Sequence, residues 1–239
     1  MIEDYEKENY GNHYLSYEEV QGIVSRKMMG SIGWMVLGLM ISGAVGFFTV
    51  TNESLFYMAY KLYFPLILVE LAVVVIFTMR LLKASVTSLR IMFLLYSALN
   101  GITLSFLGII YTGSSLTYIF LGTLVYFTCL ATYGYFTKED LSKYRVYAMG
   151  ALMALIVVSV VNFFLKSTMT DYFISYAGVL IFTAFTAIDT NIIRRNLTAY
   201  AVQEDETILD RIQICGALNL YLDFINLFMY LLRIFGKKR

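Results

Sequence analysis

The sequence is short of charge, of histidine, of cysteine and of proline, and each shortage excludes something. Asp, Glu, Lys and Arg make up 15% of the 239 residues, where a soluble domain carries about a quarter. An ordinary soluble core is therefore excluded. Net charge is +1, a balance that gives nucleic acid or an acidic partner nothing to grip. The single histidine, His13, stands in a polar stretch ahead of every apolar run, which removes most metalloenzyme and Ser-His designs. Cys129 and Cys215 both lie inside apolar runs at no metal-ligand spacing, and they predict packed free thiols rather than a disulfide framework. Only one proline is present, Pro65, and no Pro/Gly/Ser-rich linker, so one domain is expected. The opening MIEDYEKENY is acidic. A secretory signal needs a basic start followed directly by an apolar run, so the first hydrophobic helix is expected to insert and stay.

What the chain has is apolar length. Hydrophobic residues make up 59% and mean hydropathy is +0.69. A hydrocarbon core about 30 Å thick takes about 20 helical residues to cross, and the sequence offers seven such runs: 28–50, 62–79, 91–111, 116–137, 146–165, 172–193 and 212–232. The charge-free stretch 91–137 is too long for one span, and Thr112-Gly113-Ser114-Ser115 divides it. The expectation is an all-α, polytopic membrane protein: residues 1–27 as a polar cytoplasmic tail and 28–239 as a seven-helix domain in the lipid bilayer. One side of the predicted topology carries 12 basic residues (Lys7, Arg26, Lys27, Arg80, Lys83, Arg90, Lys138, Lys143, Arg145, Arg194, Arg195 and Arg211), and the other carries Lys61 and Lys166. That bias places the N-terminus in the cytoplasm. Lys237-Lys238-Arg239 runs against it; a seventh full span is preferred over a re-entrant segment.

Ionisable residues inside hydrocarbon are costly and mark function or pairing. Here they are Glu70, Arg80, Asp189, Asp223 and Arg233. Glu70 and Arg80 are 10 residues apart, as are Asp223 and Arg233, roughly 15 Å along a helix. Were the second and seventh spans antiparallel neighbours, Arg80 would meet the Asp223 level while Glu70 met Arg233. In the last span Asn219, Asp223, Asn226, Tyr230 and Arg233 recur at 4, 3, 4, 3, one continuous helix face. Asn219, Asn226 and Tyr230 are equally read as polar glue between helices. Asp189 lies toward the cytoplasmic side, whereas Asp223 stands about 11 residues, roughly 17 Å, into the last span. The two levels need not coincide; tilt or a late entry would bring the carboxylates together. If brought together they would resist double ionisation and titrate as a unit, and an ionised pair suits a hard cation such as Ca²⁺. Gly38, Ser42 and Gly46 form a small-residue ladder that predicts close helix packing, and Glu204-Asp205-Glu206 reads as a solvated loop.

Ala187-Ile188-Asp189-Thr190, then Leu220-Tyr221-Leu222-Asp223-Phe224-Ile225-Asn226-Leu227-Phe228, and then Leu231-Leu232-Arg233-Ile234-Phe235-Gly236 resemble the transmembrane Bax inhibitor motif family. The resemblance runs from the first span to the end of the chain. It implies seven helices with the last one central, wrapped by the other six. It also implies a pH-sensitive Ca²⁺ leak rather than an enzyme, with no cofactor and with Ca²⁺ as the permeant ion. Asp189 and Asp223 would sense protons and hold the cation, Arg80 would latch the closed state, and Glu70 with Arg233 would form a structural ion pair. Eukaryotic relatives suppress cell death from internal membranes; the short tail and compact loops here are more similar to a bacterial member of the plasma membrane.

Two other classes also place carboxylates in a bilayer. A proton-coupled secondary transporter would show an internal repeat, and none is visible. An intramembrane aspartyl protease of the presenilin kind needs Gly-x-Gly-Asp and Pro-Ala-Leu. Here Leu220-Tyr221-Leu222 precedes Asp223, and Leu66 follows Pro65.

Overall fold

A computed structural model of the chain describes residues 16–81, 83–203 and 205–239. Lys7 and His13 lie outside the described residues, as does Glu204. The secondary structure is helical: α1 (Tyr17–Thr51), α2 (Glu53–Lys61), α3 (Tyr63–Arg80), α4 (Val86–Leu104), α5 (Leu107–Ile110), α6 (Gly113–Phe136), a 3₁₀ turn (Leu141–Tyr144), α7 (Arg145–Leu165), α8 (Thr168–Ala201) and α9 (Glu206–Phe235). Among the described residues, seven helical segments are long and apolar enough to cross a bilayer: α1, α3, α4 with α5, α6, the 3₁₀ turn with α7, α8 and α9. The chain is an all-α polytopic membrane protein.

Several helices outrun the hydropathic runs that announced them. α1 starts at Tyr17 because Ser16 and Glu19 close a capping box around its first turn, each satisfying a backbone N–H that the helix leaves free. α8 continues to Ala201, and α9 starts at Glu206 with the Asp205 carboxylate accepting from Thr207 and Ile208 N–H. Hydropathy marks where a helix leaves the bilayer, whereas capping chemistry marks where it stops. The added helix α2 begins on Asn52, whose side chain accepts from Leu55 N–H.

α9 is the central helix. It packs on α8, α1, α6 and α4, and Leu220, Tyr221, Phe224 and Leu227 on it are fully shielded. The wrap is less even than six surrounding helices: α3 packs chiefly on α4, and α7 chiefly on α8, so both stand in an outer position. The small-residue ladder of α1 meets α4 as expected. A Cβ on Gly101 would come within 2.6 Å of the Ser42 carbonyl oxygen, and one on Gly38 within 2.6 Å of the Phe93 ring.

Ion pairs sort the helix ends. Lys27 on α1 binds Glu206 and, at 2.7 Å, Asp210 on α9; Arg90 on α4 binds Asp210 at 3.0 Å. Glu206 therefore belongs to this clamp rather than to a merely solvated loop. The last residues of the chain lie at the far end, where Thr112 N–H donates to Lys237 O at 3.0 Å and Arg239 N–H to Ile110 O at 3.0 Å. α9 is a full span, and its basic C-terminal cluster sits opposite the N-terminal end of α1.

Candidate functional site: a buried aspartate pair

Asp189 on α8 and Asp223 on α9 are 5% and 4% exposed. They lie within electrostatic reach of each other across the most extensive helix interface in the molecule. Asp189 Oδ1 and Asp223 Oδ2 are both buried without a hydrogen-bond partner. Unsatisfied polar atoms are rare in protein interiors and ask for an explanation, and two on neighbouring buried carboxyl groups single this pair out.

One cation stands close. Arg145, the first residue of α7, brings its guanidinium to 3.9 Å from Asp189 Oδ1 with its own side chain 39% exposed. At that separation it is a loose ion pair, too long for a hydrogen bond. Its position is set by Asn191, two residues beyond Asp189. The Asn191 carbonyl oxygen accepts from Leu141 N–H at 3.1 Å, and its amide donates to Gly134 O at 3.1 Å and Glu139 O at 3.3 Å. Arg194 adds a bond to Thr137 O at 3.0 Å, and Arg195 pairs with Asp140 at 3.1 Å. The loop between α6 and α7 is thus tied to α8 and carries Arg145 over the carboxylates. In that loop Lys143 holds the Glu139 carboxyl below its ordinary range, and the Ser142 hydroxyl does the same for Asp140. Both stay ionised at mildly acidic pH.

Moving away from Arg145, the next layer is aromatic. Phe182 is seven residues before Asp189, and Tyr230 seven after Asp223. On antiparallel helices both lie about 10 Å to the same side of the pair. Their rings stack at 5.9 Å, and Gly178 on α8 leaves the room for Tyr230. Beyond them a cleft of about 690 Å³ opens at the far end, flanked by Asp171, Ser175, Arg233 and Lys238.

Other expected site residues fall elsewhere. Arg80 is exposed at the end of α3 and forms no ion pair among the described residues; the outer placement of α3 keeps it from the aspartates, where Arg145 stands instead. Glu70 and Arg233 are not paired. α3 lies against α4, so Glu70 meets Thr103 and, at 3.3 Å, Asn100, while exposed Arg233 lies over the Tyr230 ring at 5.5 Å. Asn219 is half-buried, and Asn226 donates to Leu222 O of its own helix at 2.8 Å. Sequence reasoning used Arg145 only as a topology charge and passed over Asn191; the one signal was the nearness of Asn191 to Asp189 in the chain.

The architecture and the site together define a class: a seven-helix membrane protein with a carboxylate pair buried between its last two spans. Residues 26–239 match the family described as "Inhibitor of apoptosis-promoting Bax1", and the chain belongs to this Bax inhibitor family. It is 37% identical over 210 residues to the inner membrane protein YbhL of Escherichia coli K12, covering 87% of this chain and 89% of that one. A protein of Borreliella burgdorferi is 35% identical over 229 residues, covering 94% and 98%. A membrane protein of Streptococcus pyogenes serotype M1 is 39% identical over 176 residues, covering 74% and 75%.

Proposed function

We propose that this protein is a pH-sensitive cation leak, with Ca²⁺ as the permeant ion, and that the Asp189–Asp223 pair is its proton sensor. The observation that carries this reading is the pair itself: two buried carboxyl groups, each with an orphaned oxygen, facing one loosely held arginine. Oxygen-only ligands of negative charge suit a hard divalent cation. The layers support a closed passage, with the Phe182–Tyr230 stack between the carboxylates and the far cleft, and Arg145 on the other side of the carboxylates. Arg145, rather than Arg80, is the latch in this reading. No catalytic group and no cofactor are invoked. Similarity to an inner membrane protein favours a bacterial plasma membrane, and the basic-residue bias favours a cytoplasmic N-terminus.

The sign follows from the charges. An ionised pair attracts Arg145 and holds the loop down; a protonated pair releases it. Lowering the pH from neutral should therefore raise flux, and flux should fall again once full protonation removes the attraction for Ca²⁺. Purified protein in liposomes loaded with a Ca²⁺ dye tests this across a pH series. A maximum at mildly acidic pH supports the leak. A flux that needs an imposed proton gradient would instead assign the pair to a proton-coupled transporter.

A further inference from the structure

A second carboxyl group lies inside the membrane on the other side of the central helix. Glu70, half-buried on α3, accepts from the Thr103 hydroxyl at one oxygen and from Asn100 Nδ2 at the other, 3.3 Å away. Asn100 Oδ1 in turn accepts from the Tyr221 hydroxyl at 2.9 Å. Tyr221 gives its one hydroxyl hydrogen there; Ser42 Oγ lies 2.7 Å from the same phenol oxygen, with its own hydrogen in reach of the Ser97 and Gly38 carbonyls at 2.7 and 2.9 Å. Ser42, Asn100 and Tyr221 are all buried. Tyr221 and Asn100 both donate in the direction of Glu70, and the carboxyl group faces an amide donor and a hydroxyl. An arrangement of this kind favours a charged acceptor.

No cation lies within ion-pair distance of Glu70 among the described residues. The titratable groups near it are the phenols Tyr96 of α4 and Tyr221 of α9; α1 contributes only the Ser42 hydroxyl. Lys61 and Glu53 of α2 and Arg80 of α3 itself are at least nine residues away along the chain. Glu70 is also the one side chain of α3 that hydrogen-bonds to another helix among the described residues. Phe77 is the one buried residue of α3, and just past its end the Leu81 carbonyl accepts from Arg211 at 2.9 Å.

We propose that Glu70, with Asn100, Thr103 and Tyr221, forms a second proton-binding site, separate from the aspartate pair, whose ionised form fastens α3 to α4. A proton on Glu70 turns two charge-assisted bonds into weaker neutral ones, and only the Thr103 hydroxyl oxygen is placed to accept the new O–H. α3 then keeps its apolar contacts, Phe77, Val73, Val74 and the Tyr63 ring against Phe106, and the Leu81 carbonyl beyond its end. This inference stands whether or not the protein conducts ions, because it concerns the position of a helix.

The test uses full-length protein in lipid nanodiscs with Cys129→Ser and Cys215→Ser, and spin labels at Val75→Cys and Leu95→Cys, both on outward faces of α3 and α4. Interspin distance is measured by pulsed electron resonance from neutral to mildly acidic pH. It is expected to lengthen on acidification, and to do so equally when Asp189→Asn and Asp223→Asn are added. Glu70→Gln, which keeps the size of the side chain, should give the long distance at every pH. Tyr221→Phe weakens the donor series without emptying the core and should move the midpoint to higher pH by up to about one unit. A distance that stays short at all pH values would overturn the proposal, as would a Glu70→Gln protein that follows wild type. Loss of the response in the Asp→Asn background would assign the proton to the aspartates instead.

Discussion

At the residue scale, the site turns on which arginine neutralises the aspartates. Arg145 is 3.9 Å from Asp189 Oδ1, while Arg80 is exposed on an outlying helix. Arg145→Ala should therefore leave a leak that persists at neutral and higher pH, and Arg80→Ala should keep a pH profile close to wild type. The reverse result in liposome Ca²⁺ flux would return the latch to Arg80. Asp189→Asn and Asp223→Asn each remove one member of the titrating unit, and each should flatten the pH response. If both kept the wild-type profile, the aspartates would not be the sensor. Glu139, which is exposed, and Asp140, which is partly exposed, provide an internal control. Their carboxyl groups are held below the ordinary range by Lys143 and by Ser142, so both remain charged over the acidic range where the gate is expected to move. Any stability they contribute is present above the ordinary carboxylate range and is lost only as pH falls below it.

At the element scale, close approach of helices and one asparagine decide where the charges stand. Gly134 on α6 lies against the Ala187 carbonyl on α8, where any side chain would collide, and Asn191 ties the end of α6 to the same helix through one hydrogen bond and the following loop through two. Asn191→Ala leaves buried backbone groups of that loop without partners, at about 1–3 kcal/mol for such a loss. It should lower the unfolding temperature in detergent and also loosen Arg145, raising flux at neutral pH. A loss of stability with unchanged gating would separate Asn191 from the latch. These elements were unequally legible. Seven spans, the two carboxylates inside apolar runs and the α1 ladder follow from hydropathy, charge and small-residue spacing, which are local properties; that Asp189 and Asp223 come together was implied only by the family resemblance. The true partners of Glu70 and Arg233 were not legible, because pairing the two with each other assumes that α3 adjoins α9. Helix periodicity places residues on a face but does not say which helix that face meets, and here α4 takes the place beside α3. Arg145 was hidden for a similar reason: it lies 44 residues before Asp189 in the chain and reaches it only because Asn191 folds the loop back.

At the scale of the whole molecule, the layers have a direction. From the end where α1 begins, Arg145 comes first, then the aspartates, then the Phe182–Tyr230 stack, then the far cleft beside Arg233 and Lys238. Arg145 is partly open to solvent at its end, whereas a stacked aromatic layer about 10 Å deeper separates the aspartates from the cleft. Protons should therefore reach the pair from the N-terminal side of the membrane. Orientation has to be known before that can be read. Ser54→Cys on α2 and Lys237→Cys near the C-terminus should react with an impermeant thiol reagent from one side, and Ser142→Cys from the other. With Cys129 and Cys215 replaced by serine, that labelling fixes the fraction of liposomes holding each orientation. Acidifying only the compartment that labels Ser142→Cys should open the leak, while acidifying the compartment that labels Ser54→Cys should have little effect. Phe182→Ala, which removes half of the aromatic layer, should make the two sides more nearly equivalent while keeping the dependence on Asp189 and Asp223. Opening driven from the Ser54 side in the unmodified protein would mean that the sensor communicates through the far cleft, and the order of gate and sensor proposed here would have to be reversed.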